Sequence, residues 1–227
     1  MLFRSPTSIA WIRRFNLAAD TKTYWSADAE KLETRRHQLS LTTEFENSDQ
    51  LKISASDEFE MLTEPFTISD GVILQPGKYD FTSYLVSYDF GRQRPVSGLI
   101  SFRAGDFWSG TNTAISISGG RIELSPQLSL EPSYSVNKVE LPEGDFRTEL
   151  GRLRFTYTVT PRMYLSGLVQ YNSTASSFST NFRFRWEWAP GSELFIVYSD
   201  DRDTDPFGNP NSLELRNRGL VIKVNRL

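Results

Sequence analysis

Cysteine is absent from this 227-residue chain and histidine occurs once, which restricts the chemistry that its side chains can perform. Without cysteine the chain has no disulfide, no thiolate nucleophile and no thiolate metal site. The single histidine, His37, follows two arginines, and no Gly-x-Ser-x-Gly turn supplies it with a serine nucleophile. We therefore predict a solvated loop histidine and no catalytic residue, and an enzyme is the less favoured class.

A complete metal-binding pattern is also missing. The run from Asp201 to Asp205 has alternate carboxylates, as a calcium loop does. Pro206 and Ser212 occupy the positions where an EF-hand needs Gly and Glu. We predict an acidic, solvated loop there, with no metal and no cofactor.

Long hydrophobic runs and an excess of basic residues are absent as well. No stretch of about 18 apolar residues could span a bilayer as a helix. The net charge of −3 argues against a nucleic-acid partner, because proteins that bind nucleic acid usually carry a stripe of basic residues.

The best helical candidate, 28–36, has no apolar stripe and is predicted to be a loop. The first residues lack the basic and apolar segments of a signal peptide. We therefore expect one β-barrel domain over 1–227, as the C-terminal fragment of a longer exported chain.

What the sequence does contain is strand-like alternation. From Phe182 to Trp188 every second residue is aromatic and every residue between is charged. A strand sends alternate side chains to opposite faces. In a water-soluble sheet the aromatic face would pack on a core, whereas in an outer-membrane barrel it would face lipid and the charged face a wet lumen.

Turn residues divide the chain into segments of the length that a tilted membrane strand needs. The connections between them alternate between long and short, as in outer-membrane barrels. This pattern predicts an all-β, antiparallel, up-and-down transmembrane β-barrel of about twelve strands, or the C-terminal part of one. If the barrel closes within this chain, the first strand would pair with the last, and otherwise the chain is a partial barrel. The predicted strands are 7–18, 37–46, 50–61, 79–90, 96–106, 112–123, 127–138, 146–159, 163–172, 178–188, 193–200 and 214–226.

The barrel interpretation assigns the two faces of the last strands. Trp108 would mark a second aromatic girdle, opposite the tryptophans of 182–188. Guanidinium groups in the lumen could bind anionic or sugar solutes, or could pair with carboxylates and brace the wall. The predicted lipid-facing aromatics are Phe155, Tyr157, Phe182, Phe184, Trp186 and Trp188. The predicted lumen-lining residues are Arg152, Arg154, Gln170, Arg183, Arg185 and Glu187, with Arg216 and Arg218 as further candidates.

A further set of motifs is densest after Gly151 and thins out before about Glu60. The motifs include Gln170–Asn172, Asn181–Trp186, Pro190–Tyr198, Arg216–Arg218, Pro76–Tyr79, Gly105–Gly110 and Leu141-Pro142. They resemble a bacterial family catalogued as domain-of-unknown-function family 5916. The resemblance implies an outer-membrane barrel that usually follows a module similar to family 9 carbohydrate-binding modules, which this chain lacks. It implies no catalytic or ligand residues.

The expected function is an outer-membrane pore, transporter or receptor for a solute that the sequence does not identify, with glycan-related solutes among the candidates. A barrel-embedded hydrolase and a soluble sugar-binding β-sandwich are the alternatives. The expected partners are outer-membrane lipid, a carbohydrate or other small solute, and the outer-membrane assembly machinery. The expected location is the bacterial outer membrane.

Overall fold

The computed structural model describes residues 2–6, 9–27, 31–205 and 213–227, and for 2–6 it describes the backbone alone. Within these ranges no helix is long and apolar enough to cross a membrane. The fold is all-β, as predicted. The strands are β1 (Leu2–Pro6), β2 (Ile12–Trp25), β3 (Leu32–Phe45), β4 (Gln50–Leu62), β5 (Phe66–Ser69), β6 (Val72–Leu74), β7 (Gly77–Phe90), β8 (Val96–Phe107), β9 (Gly110–Ser125), β10 (Leu128–Glu140), β11 (Phe146–Thr160), β12 (Met163–Asn172), β13 (Ser177–Ala189), β14 (Ser192–Asp203) and β15 (Glu214–Asn225).

Thirteen of these strands form one sheet in up-and-down order, from β1 to β4 and then from β7 to β15. This confirms the prediction of an antiparallel, up-and-down sheet of about twelve strands. The order begins with β1 and ends with β15, so the sheet does not close on itself. The remaining two strands, β5 and β6, pair as a separate hairpin.

Several predicted strand boundaries are wrong, because polar stretches that were expected to be loops extend the strands. The strand predicted over 7–18 starts later: residues 10 and 11 lie in a turn, and β2 continues to Trp25 opposite Leu32. Residues 7–8, and 28–30 of the predicted loop over 28–36, lie outside the described residues. The threonines and aromatics of 21–25 favour a pleated strand, although they carry no apolar alternation.

Segment 79–90 has apolar residues on both faces, a pattern that a β-bulge could produce. The register between β4 and β7 instead runs without a break from Gln50 opposite Asp89 to Leu62 opposite Gly77. Tyr84 and Val86 point to one face, and Phe81 points to the other, where it packs against Phe107. The two-sided pattern therefore reflects a second apolar contact and not a bulge.

The chain divides into two compact units. Unit 1 comprises residues 1–91, 99–116 and 136–147, and unit 2 comprises 92–98, 117–135 and 148–227. The division passes through β8, β9, β10 and β11. The prediction of a single domain over 1–227 remains a prediction.

Unit 1 contains a small buried hydrophobic core that includes residues of the β5–β6 hairpin. Val72 and Leu74 of the hairpin cluster with Val139 and Leu141, and Leu74 has no exposed surface. Trp108 was expected to mark an aromatic girdle beside a longer connection. It instead lies in a two-residue turn between β8 and β9, with a positive φ of 52°, and packs against this cluster.

Candidate functional site: an apolar face and an arginine cleft

In unit 2 the pairing of β13 with its neighbours shows which residues of the other strands lie on each of its two faces. Residues directly opposite in an antiparallel pair share a face. Phe184 lies opposite Leu165 and Ile196, Leu165 lies opposite Tyr157, and Ile196 lies opposite Ile222. This row defines the apolar face of unit 2.

The next row of the apolar face is a line of aromatic rings. Phe155, Gly167, Phe182, Tyr198 and Leu220 lie opposite one another in turn. The Phe155 ring covers Gly167, where an added Cβ would lie 2.1 Å from Phe155 Cε1. Ring centroids are 6.0 Å apart for Phe155 and Phe182, and 6.5 Å apart for Phe182 and Tyr198. A glycine is therefore required in β12, because the aromatic row occupies the space of its side chain.

The two tryptophans extend the apolar face toward the β13–β14 turn. Trp186 lies opposite Met163 and Leu194, and its ring centroid is 5.8 Å from that of Trp188. Trp186 is 44% exposed and Trp188 is 40% exposed. All six aromatic residues predicted to face lipid thus lie on one face, and whether that face contacts lipid remains a prediction.

The apolar face of unit 2 ends at polar side chains of β13 to β15. Thr180 lies opposite Asp200, and Asp200 lies opposite Arg218. The Asp200 carboxylate accepts hydrogen bonds from Arg202 Nε at 2.6 Å and from Arg218 Nε at 2.8 Å. Arg218, grouped with the lumen arginines from sequence, therefore shares the face of the aromatic row at its polar border.

Unit 1 has the same arrangement on its own strands. Leu17, Leu41, Ile53 and Val86 lie opposite one another across β2, β3, β4 and β7. Each is 40–48% exposed. The row on one side of them includes Leu39 and Tyr84, and the row beyond that one is polar. This polar row consists of Thr21, His37, Asp57 and Thr82.

The structure places His37 and the acidic run away from the loops predicted for them. His37 lies within β3, where its Nδ1 is 3.1 Å from Thr21 Oγ1. Asp201 and Asp203 lie within β14, and Asp203 accepts a 2.8 Å hydrogen bond from Arg216. In the described ranges no group of three or more His, Cys, Asp or Glu residues could hold a metal ion.

The opposite, polar face of unit 2 carries all six residues predicted to line a lumen. Arg185 and Glu187 are ion-paired on this face: Arg185 Nε is 2.7 Å from Glu193 Oε2, and Arg185 Nη2 is 3.6 Å from Glu187 Oε2. These contacts match the wall-bracing role. Arg183 donates to Asn181 Oδ1 at 3.1 Å. Arg152 lies opposite Gln170. The lumen assignment itself remains a prediction.

Arg152 and Arg154 form one wall of a cleft of ≈ 510 Å³ on this face, which we call the arginine cleft. Both side chains come from β11, and the other walls come from the β7–β8 turn and from β9 and β10. Within the part of the chain that the structure describes, the side chains of Arg92, Arg152 and Arg154 make no hydrogen bond or ion pair. The charged lining is Arg92, Arg94, Arg121, Arg152 and Arg154, with Glu123 and Glu131.

Gly119 and Gly120 belong to the lining of the arginine cleft. Gly119 has a φ of +60°, a left-handed backbone conformation that favours glycine and interrupts the extended geometry of β9, and we call this point the glycine kink. A Cβ on Gly120 would lie 2.9 Å from the Pro132 carbonyl oxygen, and one on Gly98 would lie 2.9 Å from Gly120 Cα. Backbone and proline atoms of neighbouring residues occupy the side-chain positions of Gly98 and Gly120, whereas a Cβ on Gly119 would meet nothing within 4 Å.

The sequence identified only part of the arginine cleft. Arg152 and Arg154 were found because they alternate with apolar residues in a long strand. Arg92 and Arg94 lie in a turn, and Arg121 follows the glycine kink in β9. The alternation of apolar and polar residues therefore does not show which face of the sheet these three side chains are on. The spacing Arg92-Gln-Arg94 is the one signal that could have drawn attention to the turn.

Comparison of this chain with protein-family models, with curated proteins and with solved structures found no match.

Proposed function

We propose that this chain is a bacterial outer-membrane β-barrel protein that acts as a pore, transporter or receptor for a small solute. The observation that carries the proposal is the exposed apolar face of each unit, which lies opposite a polar face and ends at a polar row. The motif resemblance points to the same location, where assembly would require the outer-membrane machinery. It also keeps glycan-related solutes among the candidates.

The exposed apolar faces favour lipid as their environment. Contiguous apolar patches on soluble proteins are normally small, because water makes them unfavourable. The aromatic face of β13 runs from Phe178 to Trp188, about the 9–11 residues of a tilted membrane strand. Tryptophans at one end of an apolar band are typical of the membrane interface.

A soluble β-sandwich is less favoured, because it needs a second layer over the apolar face. The only other sheet within the described residues is the β5–β6 hairpin. Four of the six buried hydrophobic side chains belong to the cluster that includes this hairpin, namely Val72, Leu74, Val139 and Leu141. The apolar rows themselves remain exposed.

One edge of β15 has backbone groups that a membrane protein would have to pair. Among the described strands only β14 pairs with β15, so the backbone groups along its other edge lack a strand partner. In hydrocarbon each unsatisfied group costs several kcal/mol. The proposal therefore requires another strand to pair with this edge in the membrane.

Spin labels on successive residues of β13 test the proposal. Because the chain has no cysteine, single cysteines at 182 to 187 can be labelled without background. The chain would be produced in a bacterium, so that any partner strand is present, and its outer-membrane fraction isolated. We expect dissolved oxygen to relax labels at 182, 184 and 186, and an aqueous nickel chelate to relax those at 183, 185 and 187.

Two other outcomes would redirect the assignment. If labels at 182, 184 and 186 are shielded from both reagents, that face is a protein core and the membrane proposal is wrong. If the labels alternate as expected but the inserted chain hydrolyses esters or peptides, the barrel-embedded hydrolase would be favoured over a pore.

A further inference from the structure

The arginine cleft departs from the way charge is balanced elsewhere in the chain. On the polar face of unit 1, Arg14 forms a two-pronged bridge to Glu44, at 2.7 and 2.6 Å. In unit 2, Arg185 pairs with Glu193, and Arg218 pairs with Asp200. Pairing with a carboxylate is thus the usual arrangement for arginines on these strands.

Inside the cleft the pairing is incomplete. The Glu123 carboxylate lies 3.0 Å from Arg121 Nε, so it is already engaged. Glu131 is the one other carboxylate among the lining residues, and it faces a set that includes Arg92, Arg152 and Arg154. Guanidinium groups are charged at every physiological pH, so their mutual repulsion cannot be relieved by losing protons. An anion in the cleft would relieve it.

The cleft has the dimensions and the chemistry of a small-molecule site. Its volume of ≈ 510 Å³ falls within the range of about 300–1,000 Å³ that is usual for ligand pockets. Open space lies at the side-chain position of Gly119, and Ser97 and Ser133 add hydroxyl groups to the lining. Guanidinium forks bind carboxylate and phosphate oxygens through paired hydrogen bonds.

The lining also indicates which solutes fit poorly. None of the residues around the cleft, all of which the structure describes, is aromatic. A neutral sugar would therefore find no ring to stack on, and would leave the arginine charges uncompensated. This selects against the neutral members of the glycan-related class.

We propose that the arginine cleft binds a small solute that carries at least two oxyanion groups, either phosphate or carboxylate. Arg152, Arg154 and Arg92 hold these groups from two sides of the cleft, and the serine hydroxyls supply further donors. The inference rests on the proposed function only for the role of the bound solute, which would be the molecule that is admitted or sensed.

Binding to the folded 227-residue chain in detergent micelles tests the inference without requiring insertion into a membrane. Calorimetric titration would use pyrophosphate as the phosphate probe, citrate as the carboxylate probe and maltose as the neutral probe. We expect pyrophosphate or citrate to bind with 1:1 stoichiometry, and maltose not to bind. Whichever anion binds more tightly identifies the oxyanion class.

Three variants locate the site. Arg152→Gln combined with Arg154→Gln should weaken anion binding about tenfold or more, because each change removes charged donors. Arg92→Gln, in an exposed turn, should weaken binding without affecting the fold. Arg162→Gln is the matched control: it removes the same charge from a turn that does not line the cleft, and should bind as the unaltered chain does.

The outcomes separate this inference from the proposed function. Absence of anion binding by the folded chain overturns the inference, as does an equal loss of affinity in Arg162→Gln and Arg92→Gln. Site-specific anion binding supports it even if the spin labels show a protein core on the apolar face, in which case only the membrane proposal fails.

Discussion

Unit 1 and unit 2 share the same two-faced strand pattern, but they differ in what they bury. All six buried hydrophobic side chains of the described residues, Ile12, Val72, Leu74, Phe81, Val139 and Leu141, belong to unit 1. In the described part of unit 2, the apolar side chains of the sheet stay half-buried or exposed. Alternation alone therefore gives a sheet with two unlike faces, and among the described residues a cluster of buried hydrophobic side chains forms where the hairpin packs against the sheet.

The units also differ in charge. Acidic residues outnumber basic ones in unit 1 and basic residues outnumber acidic ones in unit 2, so the net charge of −3 conceals two opposite halves. In unit 1 the polar face is compensated by pairs such as Arg14 with Glu44. In the described part of unit 2, the side chains of Arg92, Arg152 and Arg154 have no carboxylate partner around the cleft, and an anionic ligand could supply one.

The largest effect is expected from a substitution in the buried hairpin core, which among the described residues is found in unit 1. Leu74→Ala should reduce the free energy of unfolding by about 2–5 kcal/mol, because it empties the centre of the hairpin core. Ile73→Ala is the control: Ile73 is 44% exposed, and its loss should change stability by about 0.5 kcal/mol or less. Urea unfolding in detergent, followed by tryptophan fluorescence, measures both. Equal losses would mean that the hairpin core unfolds separately from the sheet.

The next effect tests the two faces of unit 2. Phe184→Arg places a charge on the apolar face and should cost about 2–4 kcal/mol if that face lies at mid-membrane. Phe195→Arg makes the same substitution on the polar face, where Phe195 lies opposite Arg185, and should cost about 1 kcal/mol or less. Immunoblots of outer-membrane fractions should show a depleted Phe184→Arg chain and near-normal Phe195→Arg. Equal recovery would contradict the assignment of faces.

The smallest effect is expected from replacing single arginines, and it compares a paired arginine of unit 1 with an arginine of the cleft in unit 2. Arg14→Gln should lower the urea midpoint of unfolding, because the Glu44 side chain, which is 14% exposed, loses the two hydrogen bonds that Arg14 donates and keeps only the 3.4 Å one from Asn16. Arg152→Gln should change stability by about 0.5 kcal/mol or less, since no carboxylate depends on it. Urea unfolding without added anion compares them. A larger loss for Arg152→Gln would mean that this arginine stabilises the wall.

The sequence by itself determined the strand class and the two faces of most strands. A period of two needs no tertiary information, because successive side chains of a strand must point in opposite directions. The six aromatics and six polar residues of β11 to β13 were separated correctly on this basis. The same argument failed where strands carry no apolar alternation, as in Thr21 to Trp25, because cross-strand hydrogen bonds hold polar residues in a strand equally well.

Only the tertiary structure decided which side chains meet. The register between β11 and β12 places Gly167 beneath the Phe155 ring. Trp108, which the sequence predicts to be a girdle residue, packs against the buried cluster that includes the hairpin. The arginine cleft depends on the same long-range information, since Arg92 and Arg154 are far apart in sequence and converge through strand order and a glycine kink. Alternation specifies the face of each residue, whereas pairing between distant strands specifies its neighbours, and the charge balance of a site depends on those neighbours.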